Sequence, residues 1–207
     1  MPTGPESSPH RDVAAFEERA RVYDAGWRGR MHHEISDRVC DLVVRVAPDA
    51  RRILDVGCGT GYLLRALADA LPGAVELIGI DAAPAMVATA TTNITDPRIR
   101  FALATAEKVP LAGGFDLVVS STSFDHWHDQ HAGLCECARL LDPGGRLILC
   151  DIFSGLLAPT QVGTRRTKAR TRRRAEALVA EAGFVDLQWR GVYAVIINAI
   201  SARKPSG

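Results

Sequence analysis

Three glycines and two aspartates form the most informative group of residues in this chain. Gly57, Gly59 and Gly61 alternate with other residues, and Asp55 stands two positions before the first of them. Glycine lets a backbone approach a ligand closely, and the free N–H groups at the start of a following helix point toward that ligand. Asp81 follows Gly61 by twenty residues, where a carboxylate can accept both hydroxyls of a ribose. The predicted ligand therefore contains a nucleoside.

The apolar pattern predicts strands and helices that would hold these residues in position. Residues 51–56 form an apolar, β-branched run typical of a buried strand, and residues 62–71 repeat leucine at helical spacing. A second strand over about 75–80 ends next to Asp81. Further strands are predicted at about 99–103, 115–120, 145–151, 184–190 and 192–202.

This alternation of strands and helices predicts an α/β fold. From about residue 51 onward the pattern is typical of a parallel sheet with helices on both faces. The last two strands are separated by Gly191 alone, so they are expected to form an antiparallel hairpin. The predicted architecture is a Rossmann-like, doubly wound sheet of seven strands, mostly parallel with the last strand antiparallel.

The domain organisation is predicted to be simple. Residues 1–10 are rich in Pro, Ser and Gly and are expected to be a disordered lead-in, with a single domain over 11–207. Apolar residues at helical spacing predict one helix over about 16–23 and a clearer one over about 35–46. Together the helices of residues 11–50 are expected to form a lid.

Composition excludes several classes of protein. The chain has 207 residues, is 47% hydrophobic and 24% charged, and carries a net charge of +1, which gives no general attraction to nucleic acid or to anionic membranes. No apolar run is long enough to span a bilayer, and the start of the chain lacks the pattern of a signal peptide. The five cysteines show no disulfide spacing. These features predict a cytoplasmic protein, either a monomer or a homodimer.

The glycine spacing distinguishes between nucleoside ligands. Dinucleotide-binding folds use G-x-G-x-x-G, whereas Tyr62 stands here where the third dinucleotide glycine would be. With Asp55 before it, the pattern resembles motif I of the class I S-adenosylmethionine (SAM) methyltransferases. The resemblance covers about residues 14–204, and the most similar patterns belong to small enzymes of quinone biosynthesis and natural-product tailoring. It implies methyl transfer from SAM to oxygen or carbon of a small-molecule acceptor, with S-adenosylhomocysteine (SAH) as product.

The resemblance also implies which residues hold the cofactor. Asp81 would bind the ribose, Met86 would lie against the adenine, and Thr105-Ala106-Glu107 resembles the adenine-edge segment. Tyr23 belongs to a stretch resembling the family's Tyr-Asp cap over the methionyl end, although it is also compatible with a core aromatic residue. The implied set is Tyr23, Asp55, Gly57, Cys58 through its backbone, Gly59, Gly61, Asp81, Ala82, Met86, Ala106, Glu107 and Ser121.

His126 is the candidate general base. Phe124-Asp-His-Trp127 resembles a Phe-His-His-Trp segment of small-molecule members, with Asp125 in place of the first histidine. An imidazole changes charge near neutral pH, so it suits proton removal from an acceptor. Asp151 ends the fifth predicted strand, and there it can orient a histidine or bind an acceptor hydroxyl. Alternatively, His126 only shapes the loop over the cofactor.

Other polar clusters have simpler interpretations. His126, His128, His131, Cys135 and Cys137 match no zinc spacing, so no metal is predicted. Leu134, Cys135, Ala138 and Leu141 would share one face of a helix, so Cys135 is expected in the core with Cys137 beside it. His32 lies at the edge of an apolar stripe, where it is either packed or directed into the substrate pocket.

A basic run from Arg165 to Arg174 contains no acidic residue. Such a run is usually a solvated face, although here it lies where relatives vary their substrate lid. An acidic small-molecule acceptor and a nucleic acid are therefore also considered.

Three competing functions remain open. A nucleic-acid or protein methyltransferase is disfavoured, because Ser120-Ser-Thr-Ser123 replaces the Asn/Asp-Pro-Pro-aromatic motif of amino-methylating members. A nicotinamide oxidoreductase is disfavoured by the glycine spacing. A non-catalytic, nucleoside-binding partner subunit is compatible with the motifs as well.

Overall fold

The computed structural model describes residues 23–24, 26–154 and 168–207. The predicted lead-in over 1–10 and the start of the basic run, Arg165 and Arg166, lie outside the described residues. The predicted first helix over 16–23 also lies outside them except for Tyr23, which forms a turn with Asp24.

Helices and strands alternate along the described chain. The helices are α1 (Gly26–Val46), α2 (Tyr62–Ala70), α3 (Pro84–Asn93), α4 (Gln130–Leu140) and α5 (Arg172–Glu181), with a 3₁₀ turn at Phe124–His126. The strands are β1 (Arg52–Val56), β2 (Glu76–Asp81), β3 (Ile99–Leu103), β4 (Phe115–Ser121), β5 (Leu141–Ile152), β6 (Val185–Tyr193) and β7 (Ile197–Arg203). No described helix is both long and apolar enough to cross a membrane.

The strands form one seven-stranded sheet in the order β3-β2-β1-β4-β5-β7-β6. Neighbours from β3 to β5 pair in parallel, and β7 pairs antiparallel with both β5 and β6. The predicted Rossmann-like architecture is therefore confirmed. The strand order reverses between β1 and β4, and ligands of doubly wound sheets bind at the carboxyl ends of the strands at such a switch point.

The sheet separates two apolar layers. Successive residues of β1 point to opposite faces, so Ile53 packs in one cluster and Leu54 in the other. Helices α1 and α2 cover the first face with residues that include Val39 and Leu64. Helices α4 and α5 cover the second face with residues that include Leu134 and Val179. The buried stripe of α1 matches the predicted one at Ile35, Val39, Leu42 and Val43.

The predicted position of the last turn is wrong. Gly191 lies within β6, opposite Asn198, and the hairpin turns instead at residues 194–196. Ala194 occupies the turn with a φ of 46°. The register shifts between Gly191 and Tyr193, and glycine within a strand often marks such a bulge. The glycine therefore marks an irregularity inside the strand, and the chain reverses three residues later.

The predicted face of α4 is also displaced by a fraction of a turn. Leu134, Cys137 and Leu140 are buried at intervals of three residues, whereas Cys135 is exposed. The prediction placed Cys135 in the core because it counted Leu141 as part of the helical stripe. Leu141 instead begins β5, so the buried stripe of α4 consists of Leu134, Cys137 and Leu140.

Candidate active site

An open cleft of about 800 Å³ lies at the carboxyl ends of β1, β2 and β4. Its walls come from the glycine loop (residues 57–61), from residues that follow β2 and β3, and from a wall segment after β4 (residues 122–130). A second cavity of about 400 Å³ adjoins it. The two share Tyr23, Gly57, Gly59, Ser121 and Thr122, so these residues lie at their junction.

The three glycines of the loop have different structural roles. Gly57 has a φ of 77°, and a Cβ there would collide with the side chain of Ser123. Gly59 has a φ of 54°, and the nearest atom to an added Cβ is Tyr23 Cε1, 3.9 Å away. Gly61 precedes α2, and its Cβ would lie 2.6 Å from Ile94 Cδ1. Gly59 therefore leaves open space for a ligand, whereas Gly61 allows close packing behind the loop.

Asp81 connects two parts of the cleft. Its Oδ2 accepts the backbone N–H of Gly59, and its Oδ1 accepts that of Ala83, both at 2.9 Å. These bonds hold the glycine loop next to the start of α3. The carboxylate lines the cleft, which is the position required for ribose recognition.

Asp55 is a buried carboxyl group in the second cavity. Its exposed fraction is 2%, and its Oδ1 has no hydrogen-bond partner among the described residues. Burial and the negative charge of Asp81 raise its pKa to about 8. A cationic ligand group placed in this cavity would offset the cost of ionising Asp55.

Tyr23 and His32 meet where the two cavities join. Their rings stack with centroids 5.1 Å apart, and Tyr23 lines both cavities. Burial and nearby carboxylates raise the pKa of Tyr23 to about 12. Burial lowers the pKa of His32, whose Nδ1 has no hydrogen-bond partner in the described part of the chain. Of the two alternatives for His32, the structure supports a side chain directed into the site, because it lines the second cavity.

The turn next to Tyr23 is tied to the glycine loop. Asp24 accepts a hydrogen bond from the Thr60 hydroxyl at 3.1 Å and pairs with His33 Nε2 at 2.9 Å. The ring of His33 stacks on that of Tyr62, with centroids 3.9 Å apart. These contacts fix Asp24, the neighbour of Tyr23, beside the glycine loop, and the cap role of Tyr23 stays a prediction.

The wall segment places His126 at the cleft. The 3₁₀ turn at Phe124–His126 brings His126, Trp127 and His128 to the lining. Trp127 donates from Nε1 to the Ser123 hydroxyl at 3.1 Å and packs its edge against Phe124. Its ring is nearly buried and forms an apolar side of the cleft beside the imidazole of His126.

Asp151 lies behind the wall segment. Its exposed fraction is 4%, and its oxygens accept the backbone N–H of Asp125 at 3.0 Å and of Ile152 at 2.6 Å. Burial raises its pKa, and the neighbouring Asp125 acts in the same direction. Among the described residues it lines neither cavity. This geometry supports a role in orienting the wall segment and does not place Asp151 against an acceptor.

Most of the predicted cofactor residues lie together. The large cleft is lined by Tyr23, Gly57, Gly59, Asp81, Ala82, Met86, Ala106, Glu107 and Ser121, and the second cavity also by Asp55 and Cys58. Thr122 and Ser123 also line the large cleft, and their position directly after β4 is a usable signal in the sequence. Trp127 and His128 line the same cleft.

The basic run is not simply a solvated face. Lys168 donates to the carbonyl oxygens of Trp127 and His128, and Arg170 forms a nearly buried ion pair with Asp125. Arg172 donates to Asn198 Oδ1 at 2.6 Å. Arg173 is exposed, as the prediction requires. The prediction is therefore wrong for the first residues of the described part of the run, because these cations have internal acceptors.

The central part of the chain is similar to a known domain family. Residues 53–145, which include the glycine loop, Asp81 and the wall segment, match the family model described as a methyltransferase domain. The seven-stranded sheet with its antiparallel β7 agrees with this match. Residues 53–145 are therefore similar to a methyltransferase domain.

Several known proteins are similar to the chain. It is 33% identical over 135 residues to a malonyl-[acyl-carrier protein] O-methyltransferase of Anoxybacillus flavithermus, covering 64% of this chain and 49% of that protein. It is 38% identical over 117 residues to a demethylmenaquinone methyltransferase of Thermus thermophilus, covering 55% and 52%. The chain thus spans about half the length of these curated relatives.

The fold of the chain is also similar to that of a solved structure. Human N-acetylserotonin methyltransferase in complex with SAM superposes with a TM-score of 0.65 at 22% identity, covering 96% of this chain and 57% of that one.

Two observations test whether the residues present fit SAM. The cofactor carries a ribose and an amino-acid end, which require a carboxylate for the hydroxyls and polar partners for the zwitterion. Asp81 lines the large cleft, and in the adjoining cavity Asp55 Oδ1 has no hydrogen-bond partner within the described ranges of the chain. The open space over Gly59 lies between them, so the residues fit the cofactor.

Proposed function

We propose that this protein transfers a methyl group from SAM to a small-molecule acceptor. The observation that carries the proposal is that two adjoining cavities share Gly59, with Asp81 in one and Asp55 in the other. When bound, the cofactor supplies a methyl group on a sulfonium, which is already activated for in-line displacement. The protein then has to align the acceptor, exclude water and, for some acceptors, remove a proton.

Each end of the cofactor is proposed to have its own residues. Asp81 accepts the ribose hydroxyls, and Met86 and Ala106 provide apolar surface for the adenine. Asp55 accepts a hydrogen bond from the ammonium group of the cofactor, and the positive charge of that group favours the ionised form of Asp55. His32 donates to the carboxylate from Nδ1, which no described residue engages in a hydrogen bond. Tyr23 covers the junction between the two ends.

His126 and Trp127 are proposed to act on the acceptor side. Trp127 excludes water from the large cleft with its apolar ring. If the acceptor is a hydroxyl, His126 holds the proton that leaves the acceptor oxygen. If the acceptor is a carbon nucleophile or an ionised acid, His126 serves only as part of the wall.

An acidic acceptor has a specific observation in its favour. Lys168 donates to the neutral carbonyl oxygens of Trp127 and His128, so these partners do not offset its positive charge. Both partners line the cleft, which brings the ammonium group close to its rim. A carboxylate or phosphate on the acceptor is therefore proposed as a recognition element. A malonyl thioester and a quinol, suggested by the names of the relatives, are suitable first acceptors to test.

Calorimetry with SAM, SAH and NADH tests the proposed ligand. We expect SAM and SAH to bind and NADH not to bind. Gly59→Val should abolish binding, because a side chain would fill the space beside Tyr23 in a left-handed backbone conformation. Gly73→Val is the matched control, since an added Cβ at Gly73 has no atom within 4 Å and lies away from both cavities. Binding of NADH, or normal SAH binding by Gly59→Val, would contradict the proposal.

A second measurement separates an enzyme from a binding subunit. The protein is incubated with SAM labelled in the methyl group and with a panel of carboxylated thioesters, quinols and phenols. Transfer of the label to any acceptor, with formation of SAH, supports the enzyme. SAH binding without transfer to any member of the panel would favour the non-catalytic subunit.

A further inference from the structure

The short segment 168–170 is attached to the wall segment that carries His126. Ala169 donates its backbone N–H to Gln130 Oε1 at 2.8 Å, and Gln130 Nε2 donates to the carbonyl of Phe124 at 2.9 Å. Lys168 donates to the carbonyls of Trp127 and His128. The wall segment is thus held at several points by residues about 40 positions further along the chain.

The strongest of these contacts is an ion pair between Arg170 and Asp125. Arg170 Nε donates to Asp125 Oδ1 at 2.7 Å, and a second guanidinium nitrogen contacts Oδ2. The side chains are only 12% and 7% exposed. The carbonyl of Arg170 accepts the N–H of Ser154 at 2.9 Å, which fixes the arginine to the end of β5. Two-point pairing of this kind fixes orientation as well as distance.

A second buried carboxylate explains why the arginine matters. Asp151 accepts the backbone N–H of Asp125, so two carboxyl groups lie close together in the interior. Burial of two like charges is unfavourable unless a cation or hydrogen bonds compensate for it. Arg170 supplies the cation. Its loss would remove the two-point pairing of a buried carboxylate directly before His126.

We propose that Arg170 and Asp125 are positioning residues that hold His126 and Trp127 against the cofactor cleft. Asp125, which stands where the family's usual pattern has a histidine, is bound to the arginine and unavailable to an acceptor. His126 is then the residue of this pair that faces the cleft. The order of the wall segment is a property of the free protein, and only its effect on the cofactor rests on the proposed function.

The experiment compares two arginines of the same basic run. Arg170→Met removes the charge and keeps a long side chain, and Arg173→Met is the matched control because Arg173 is exposed. Asp125→Asn is a milder second variant in case Arg170→Met does not fold. Hydrogen exchange of the free proteins is measured for the amides of Asp125, His126 and Trp127, with the β1 amides as an internal reference.

A local effect is the expected result. Exchange in the wall segment should be at least ~10-fold faster in Arg170→Met and faster in Asp125→Asn, with β1 and the Arg173→Met protein unchanged. In a background with Trp27→Phe and Trp189→Phe, Trp127 fluorescence should shift to longer wavelength only in the first two variants. SAH should dissociate about 10-fold faster from Arg170→Met, because the wall it contacts is less ordered.

The alternative outcomes are distinct. Unchanged exchange in the wall segment, or an equal acceleration throughout the sheet, would overturn the positioning role, since the ion pair would then be dispensable or would only stabilise the whole fold. If the wild-type protein did not bind SAH, the proposed function would fail. The exchange and fluorescence data would still decide whether Arg170 orders the wall.

Discussion

Asp81 Oδ2 accepts the backbone N–H of Gly59 at 2.9 Å, and this bond joins the end of β2 to the glycine loop. A second bond to the N–H of Ala83 is equally short. The residue proposed to bind the ribose therefore also organises the backbone around it. Removal of its carboxylate should affect both the ligand contact and the shape of the loop.

Asp81→Ala is expected to weaken SAH binding about 10- to 100-fold, since a charge-assisted hydrogen bond contributes about 1.5–3 kcal/mol. Calorimetric titration measures this change. Asp116→Ala is the control, because Asp116 also accepts two backbone N–H groups, those of Arg51 and Arg52, at the opposite end of β1. The control should lose stability and keep its affinity for SAH. Equal affinity of the two variants would argue against the ribose assignment.

His32→Ala should discriminate between whole and truncated ligands. We expect about 10-fold weaker binding of SAH, because the cofactor carboxylate loses a donor, and no change for 5′-methylthioadenosine, which lacks the amino-acid end. His131→Ala is a suitable control, since His131 is exposed on α4 and lines neither cavity. A parallel loss of affinity for both ligands would show that His32 acts on packing and not on the carboxylate.

Asp55 should make stability depend on pH. Its pKa lies near 3.8 in the unfolded chain and is raised to about 8 in the folded protein by burial and by Asp81. Between these values the folded protein binds more protons than the unfolded chain, so the free energy of unfolding falls as the pH rises from about 4 to about 8. Asp55→Asn removes this titration, and its stability should fall less over that range.

Denaturant unfolding at several pH values measures the difference between the two proteins. The comparison isolates Asp55 from Asp151, whose pKa is also raised by burial and whose contribution has the same sign. Parallel stability curves for the two proteins would mean that Asp55 does not titrate in this range.

His126→Ala tests the nature of the acceptor chemistry. With a hydroxyl acceptor, turnover should fall about 10²- to 10⁴-fold, because only proton removal is lost. SAH affinity should change little. His128→Ala is the control, as His128 lines the same cleft from the same segment. Turnover within a few-fold of wild type in His126→Ala would instead indicate a carbon nucleophile or an acid that is already ionised.

The parts of the fold and site that the sequence predicts are those encoded by adjacent residues. The glycine loop, Asp81 and the strands beside them are contiguous patterns, and they lie where the pattern requires. The ion pair of Asp125 and Arg170 joins residues 45 positions apart, so it depends on how β4 and the start of α5 approach each other. The local pattern instead suggested a solvated basic face.

Two other differences arise because a predicted helix or strand ends at a different residue in the structure. Assigning Leu141 to a helix rotated the predicted buried face of α4 from Cys137 to Cys135. Treating Gly191 as a turn shortened β6, because glycine permits both a turn and a bulge within a strand. In both cases the neighbouring elements determine the outcome, and the local residue types are compatible with either arrangement.

The position of β7 has a consequence for the growing polypeptide. It is made after β6, yet it lies between β5 and β6, and it pairs with β5 from Arg146 to Ile152. Until β7 has emerged from the ribosome, that flank of β5 is an apolar strand edge that another nascent chain can join. The closing strand therefore protects the protein from self-association during synthesis as well as completing its sheet.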